Sequence, residues 1–361
     1  MVIEMVVEAD KEEELPIDAN DADETVDAQD FIISNYGADF DVEGLVRRLD
    51  RGDIEIPDFQ RAFVWNQKRA SRFIESLLIG LPVPGIFLYR ERDSQTLRVI
   101  DGQQRLISLK SYYNGQFPGS TRKFRLTGVN KRFEGKAYTE LLPEDRRKLN
   151  NSIIHASIIQ QDAPDDNGTS QFSLFERLNT TSTPLSSQEI RATVYRGTLN
   201  ELLVELNSCE AWRTLIGKPN LRKHDQELIL RFFALYYDLA DYRRNLKEFL
   251  NEYMKGNQQL NRHSADDLRE LFTTTVRTIL EKLDRRAFRR DRAVNAALTD
   301  ALMVGIARRL ERGPIDANIR NEYERLMNDQ EFVASISAGT SQLNNVRTRI
   351  DLATEAFAGV E

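Results

Sequence analysis

Nearly every run of β-forming residues in this 361-residue chain lies before residue 162, whereas beyond Thr169 the apolar positions recur almost only at helical spacing. That change of period leaves one economical solution: a few strands and helices sharing a core in the first half, with helices packed on helices in the second. The expected fold is therefore α+β, a small α/β core over residues 31–165 followed by an α-helical domain over 166–361. Helix is expected at 40–49 and at 67–80, where Ala70, Phe73, Ile74, Leu77 and Leu78 share a face and Gly80 closes it. The runs 86–90 (IFLYR) and 97–100 (LRVI) read as a hairpin across ERDSQT. Further strands are expected at 124–126 and 152–159, around a helix at 138–149. Later helical patterns begin near residues 170, 187, 198, 224, 243, 265, 290, 316 and 340.

Charge separates the ends from the body. Residues 1–30 hold twelve acids against one base, Lys11, so the chain's net −7 conceals 49 basic and 45 acidic residues over 31–361. With so few apolar residues, 8–30 cannot repay their ordering entropy and read as a disordered acidic tail, either a solubility device or a mimic of nucleic acid that masks a basic groove. A lone cysteine, Cys209, cannot close an intramolecular disulfide, and no apolar run reaches the ~18–20 residues of a membrane span, so a cytoplasmic protein without membrane partners is expected.

The strongest local signal is Asp101-Gly-Gln-Gln-Arg105, at an expected strand-to-helix turn. Such a turn offers backbone N–H groups and the positive end of a helix, both suited to phosphate. Gly102 permits close backbone approach, Arg105 can grip phosphate oxygens, Gln103 and Gln104 can donate or accept, and Asp101 suits a Mg²⁺ ligand or a water-positioning group. A plain capping box, Asp101 as N-cap with Gln104 three residues on, accounts for part of the motif equally well. In 56–65 (IPDFQRAFVW), Gln60 and Arg61 stand between aromatics, a pattern that serves either a base and phosphate clamp or a core with a surface arginine. In 175–190 (FERLNTTSTPLSSQEI), Asn179 and Thr180 open a hydroxyl-rich turn that caps helices or closes on a nucleotide, and Ser186 with Glu189 forms a second capping box. In 282–292 (KLDRRAFRRDR), Arg285 with Arg289 and Arg286 with Arg290 fall at i, i+4 of an expected helix, either a solvated face or a contact for DNA or an acidic partner. No P-loop, GxGxxG, CxxC or HExxH occurs, so the familiar nucleotide and zinc motifs are excluded.

Taken in order, IPDFQRAFVWNQ, FIESLLIGLPVPGIFLY, VIDGQQRLISL and FERLNTTSTPLSSQEI resemble the N-terminal domain of GmrSD-type modification-dependent restriction systems, in the ParB/sulfiredoxin-like group, over roughly residues 40–240. The resemblance implies a ParB-like core whose DGQQR turn binds or hydrolyses a nucleoside triphosphate with Mg²⁺, and a sensor role that licenses cleavage of modified phage DNA. Carried onto this chain, Asp101, Gln104 and Arg105 would serve the chemistry, with Gly102, Gln103, Gln60, Arg61, Asn179 and Thr180 around the nucleotide. The family's usual HNH nuclease needs a histidine base, and no histidine follows His263, so cleavage is expected from a separate nuclease subunit. The competing expectations are a metal-dependent nuclease or nickase on the same core, and a DNA-binding module without nucleotide turnover.

Overall fold

A computed structural model describes residues 32–56, 63–92, 94–163, 169–178, 185–220, 222–243, 245–315 and 317–360. These fall into two compact units, meeting in sequence between Val194 and Tyr195. The α+β expectation holds: the first unit carries a sheet with helices and the second is helical.

The first unit begins with β1 (Ile32–Asp41), α1 (Val42–Arg51) and β2 (Ile54–Glu55), followed by α2 (Gln67–Ile79), β3 (Ile86–Arg90), β4 (Leu97–Asp101) and α3 (Gln103–Asn114). It continues through α4 (Pro143–Asn150), β5 (Ile153–Ala163), α5 (Thr169–Leu178) and α6 (Ser187–Val194). The sheet order is β1-β5-β3-β4-β2. Strands β1 and β5, and β3 and β4, are antiparallel, whereas β5 with β3 and β4 with β2 are parallel. Alternation along the strands sorts their side chains between the two faces. Ile86, Leu88, Leu97, Val99, Ile154, Ala156 and Ile158 join the core built with α1 to α4, and on the opposite parity Tyr89, Ile100 and Ile159 are buried too. There Tyr89 meets Phe175 of α5, ring centroids 5.9 Å apart.

The helix ends follow their sequence signals. Asn66 caps α2 by accepting from the Arg69 amide at 2.9 Å, and Gly80 closes it as expected. The helix expected over 138–149 is instead a 3-10 turn, Tyr138–Glu140, followed by α4, because Pro143 disfavours helical backbone before it and suits the first helical position. Residues 124–126 are not a strand; Phe124 and Leu126 are buried on a loop whose backbone pairs Leu126 with Lys136 and Gly135. Sequence reading missed β1, an edge strand whose side chains are mostly exposed and show no clean alternation.

The second unit comprises α7 (Thr198–Asn207), α8 (Glu210–Ile216), α9 (His224–Asp238), α10 (Leu246–Gly256), α11 (Ala265–Lys282), α12 (Ala296–Leu310), α13 (Arg320–Asn328), α14 (Gln330–Ser335) and α15 (Leu343–Ala358). Helix α12 is buried almost all round, and Gly305 lets it press on α15: a Cβ there would stand 2.9 Å from the backbone of Ala353. Between α9, α12 and α15 lies a charged core. Asp300 accepts from Arg231 Nε at 3.0 Å and Nη2 at 2.6 Å, and from Arg349 Nη2 at 2.8 Å. Burial pushes the pKa of the Arg349 guanidinium down, and Asp300 offsets that cost by favouring its charged form. Asp300→Ala removes the carboxylate from a fully buried guanidinium, and the unit is expected to lose about 3–5 kcal/mol in urea unfolding followed by tryptophan fluorescence of Trp212.

Candidate functional site

The β4–α3 junction is built by a backbone constraint. Asp101 ends β4 opposite Phe87, and Gly102 then turns the chain with φ 104° and ψ 2° as the N-cap of α3. A Cβ on Gly102 would lie 2.4 Å from Ile86 Cγ2, so both conformation and packing demand glycine there. The cap therefore carries no side chain, which overturns the capping-box reading of Asp101 and Gln104.

Each polar side chain of the motif instead ties a different segment to the turn. Gln104 Oε1 accepts from the backbone N–H groups of Val64 at 3.0 Å and Trp65 at 3.2 Å, fixing the chain just before α2. Arg105 Nη2 donates to Asp101 Oδ2 at 2.8 Å and to the Gly85 carbonyl at 2.9 Å. The pair is mostly shielded, with Arg105 13% and Asp101 25% exposed, and among the described residues the buried Arg105 Nε has no hydrogen-bond partner. Gln103 occupies the first helical position and is half-buried. Sequence reading missed the Gly85 carbonyl; its signal was the Leu81-Pro-Val-Pro-Gly85 run, which forbids helix and leads an extended backbone to the turn.

Gln60, Arg61, Asn179 and Thr180 lie outside the described residues. Downstream of the hydroxyl-rich run the Ser186–Glu189 capping box is present in both directions: Glu189 N donates to Ser186 Oγ at 3.2 Å and Ser186 N to Glu189 Oε2 at 2.7 Å. Among the described residues no cluster of three or more His, Cys, Asp or Glu side chains is arranged to hold a metal ion. No helix among them is long and apolar enough to cross a membrane.

The arginines of 285–290 do not share a helix face. Helix α11 ends at Lys282, and the chain then turns around the buried Ala287 and Phe288 until α12 begins. Arg289 donates to the Arg292 carbonyl at 2.8 Å and to the Ile216 carbonyl at 3.2 Å, which satisfies the C-terminal end of α8. Arg286 Nη2 reaches the Asp291 carbonyl at 3.1 Å and Arg290 Nη1 the Ser337 hydroxyl at 2.5 Å, while Arg285 is exposed. A continuous basic stripe is thus replaced by a loop that spends most of its guanidinium groups on its own structure.

Gly102→Ala is expected to cost about 2–4 kcal/mol, combining a non-glycine residue at positive φ with overpacking against Ile86. Urea unfolding measures it, and adding Ile86→Ala should relieve only the packing share. An unchanged midpoint for Gly102→Ala would contradict the geometry.

Residues 42–196 match the GmrSD restriction endonuclease N-terminal domain family. The chain is also similar to an uncharacterized protein of Methanocaldococcus jannaschii, 34% identical over a stretch covering 20% of this chain and 17% of that relative. It therefore spans about a sixth of the length of the curated relative it matches. The segment from Val42 to Arg196, which holds the DGQQR turn, is thus similar to the N-terminal domain of GmrSD restriction endonucleases.

Proposed function

We propose that this chain is a nucleotide-binding regulatory component of a DNA restriction system, acting with a nuclease on a separate chain. The observation that carries the reading is the α3 N-terminus: a helix start with a glycine cap, flanked by the shielded Arg105, whose Nε donor has no partner among the described residues. Amides and a partial positive charge at a helix start favour phosphate oxygens, and Arg105 adds a fixed full charge beside them. Residues and ligand fit in chemical type, since an anion would give the buried Arg105 Nε an acceptor. Bound Mg²⁺ would supply charge neutralisation on the phosphates, with Asp101 as its protein ligand.

In this reading Arg105 serves two partners. The Asp101 carboxylate and the Gly85 carbonyl hold its guanidinium in place before any ligand arrives, so little side-chain entropy is lost on binding. Gln104 is a positioning residue: by holding Val64 and Trp65 it fixes the backbone just before α2 against the turn. The resemblance carries Gln60, Arg61, Asn179 and Thr180 to the nucleotide, and DNA, modified phage DNA in particular, is the matching partner. Hydrolysis of the nucleotide would make the chain an NTPase; binding alone would already suffice for a sensor.

Equilibrium dialysis of the full chain against each of the four ribonucleoside triphosphates, with and without Mg²⁺, is the test. At least one is expected to bind, and Arg105→Lys, which keeps the charge but loses the planar fork, should bind about tenfold more weakly. Asp101→Asn should abolish the Mg²⁺ dependence while sparing metal-free binding. Binding of none of the four overturns the reading. Arg105→Ala is a poorer probe, because it also strips partners from Asp101 and the Gly85 carbonyl at a cost of about 1–3 kcal/mol in stability.

A further inference from the structure

The first unit holds a second charged surface, which lies on neither the DGQQR turn nor the arginines of 285–290. It is formed where the exposed side of α2 meets the loop from residue 121 to 136. The two are stitched together: Gln67 Nε2 donates to the Arg125 carbonyl at 2.7 Å, the Thr127 amide to Ser71 Oγ at 3.0 Å and the Asn130 amide to Glu75 Oε1 at 2.6 Å. The Lys68 stem lies so close over Gly128 that a Cβ there would be 2.9 Å from Lys68 Cγ.

The acids of this region are consumed in building it. Glu134 accepts from the Gly128 and Val129 amides, which holds its carboxyl below the usual carboxylate range, and Glu140 is engaged by both Nη groups of Arg125. Both carboxylates are exposed, but the exposed side chains around them are mostly basic. Lys68, Arg69, Arg72, Arg122, Lys123 and Lys131 are all exposed, and among the described residues none has a carboxylate at ion-pair distance. Arg69 also lies over the Trp65 ring, 4.8 Å from its centroid, which adds an aromatic to the margin of the patch.

We infer that this face holds the phosphodiester backbone of a nucleic acid. Six cations without a carboxylate partner among the described residues, on a braced surface, suit a polyanion of regular charge, and counterion release would supply most of the affinity. The Arg69–Trp65 pair is the feature that favours nucleic acid over an acidic protein, since a guanidinium held over an indole puts two planar groups where a sugar or base can meet them. The inference rests on the preceding reading only for the choice of DNA as probe.

The test is fluorescence anisotropy of a labelled DNA duplex with the full chain, over salt from about 50 to 200 mM. Replacing Lys68, Arg72, Lys123 and Lys131 together by Gln should weaken binding about tenfold or more and flatten the slope of log affinity against log salt by about 2–4. Arg285→Gln with Arg286→Gln should leave both unchanged. Melting of the variants checks folding; should the fourfold variant melt early, Lys123→Glu and Lys131→Glu are judged singly by the same criterion. Unaltered affinity and slope overturn the inference, and so does a wild-type chain that binds poly-glutamate through these residues more tightly than DNA. Nucleotide dialysis on the same preparations separates the outcomes, since a chain that binds nucleotide while its DNA affinity ignores this face refutes the face alone.

Discussion

The approach of Gly102 to Ile86 is the constraint from which the candidate site follows. Because no side chain fits between the end of β4 and the start of β3, the helix after the turn is brought against the strand that precedes it in the hairpin. The start of α3 therefore stands beside Gly85, and Arg105, one turn into the helix, reaches both that carbonyl and Asp101. Had Gly102 carried a side chain, the junction would need to open, and the Arg105 guanidinium would lose the register that lets it serve two acceptors at once.

A motif that looks like chemistry thus doubles as architecture. Gln104 does not cap its own helix but receives two amides from the chain ahead of α2, and Arg105 spends part of its donor capacity inside the protein. The same economy explains the arginines near residue 289. Composition made them a stripe, yet a guanidinium near bare carbonyls at a helix end satisfies groups that would otherwise be buried unpaired. Where acids are used up in loop building instead, as with Glu134 and Glu140, the neighbouring lysines and arginines are left facing solvent.

Legibility in the sequence followed the strength of the local physics. The hairpin of β3 and β4, helix α2 with its glycine stop and the Ser186–Glu189 box were all readable, because each is specified within about a dozen residues by period, cap and turn chemistry. Edge strand β1 was not, since its pairing with β5 is set by residues more than a hundred positions away and its own side chains mostly face water. The short helices α8 and α14 escaped for want of length. At the site, DGQQR was legible as a strand-to-helix turn, but not the partners of its side chains, which come from Gly85, Val64 and Trp65 on other segments. The arginines of 285–290 show the reverse failure: i, i+4 spacing has meaning only if the helix exists, and Phe288 is pulled into the core instead.

The charged core of the second unit has a consequence for how that unit comes into being. Asp300 sits on α12, while its two guanidinium partners arrive on α9 and α15, toward opposite ends of the unit's sequence. An assembly of α9 and α12 alone would leave the cavity for Arg349 open to water, and one of α12 and α15 alone would lack the arginine from α9. The ion triad thus acts as a completion signal, withholding its full stabilisation until α15 has docked. A chain in which α15 has not yet formed has its native sheet within reach but not its native helical unit.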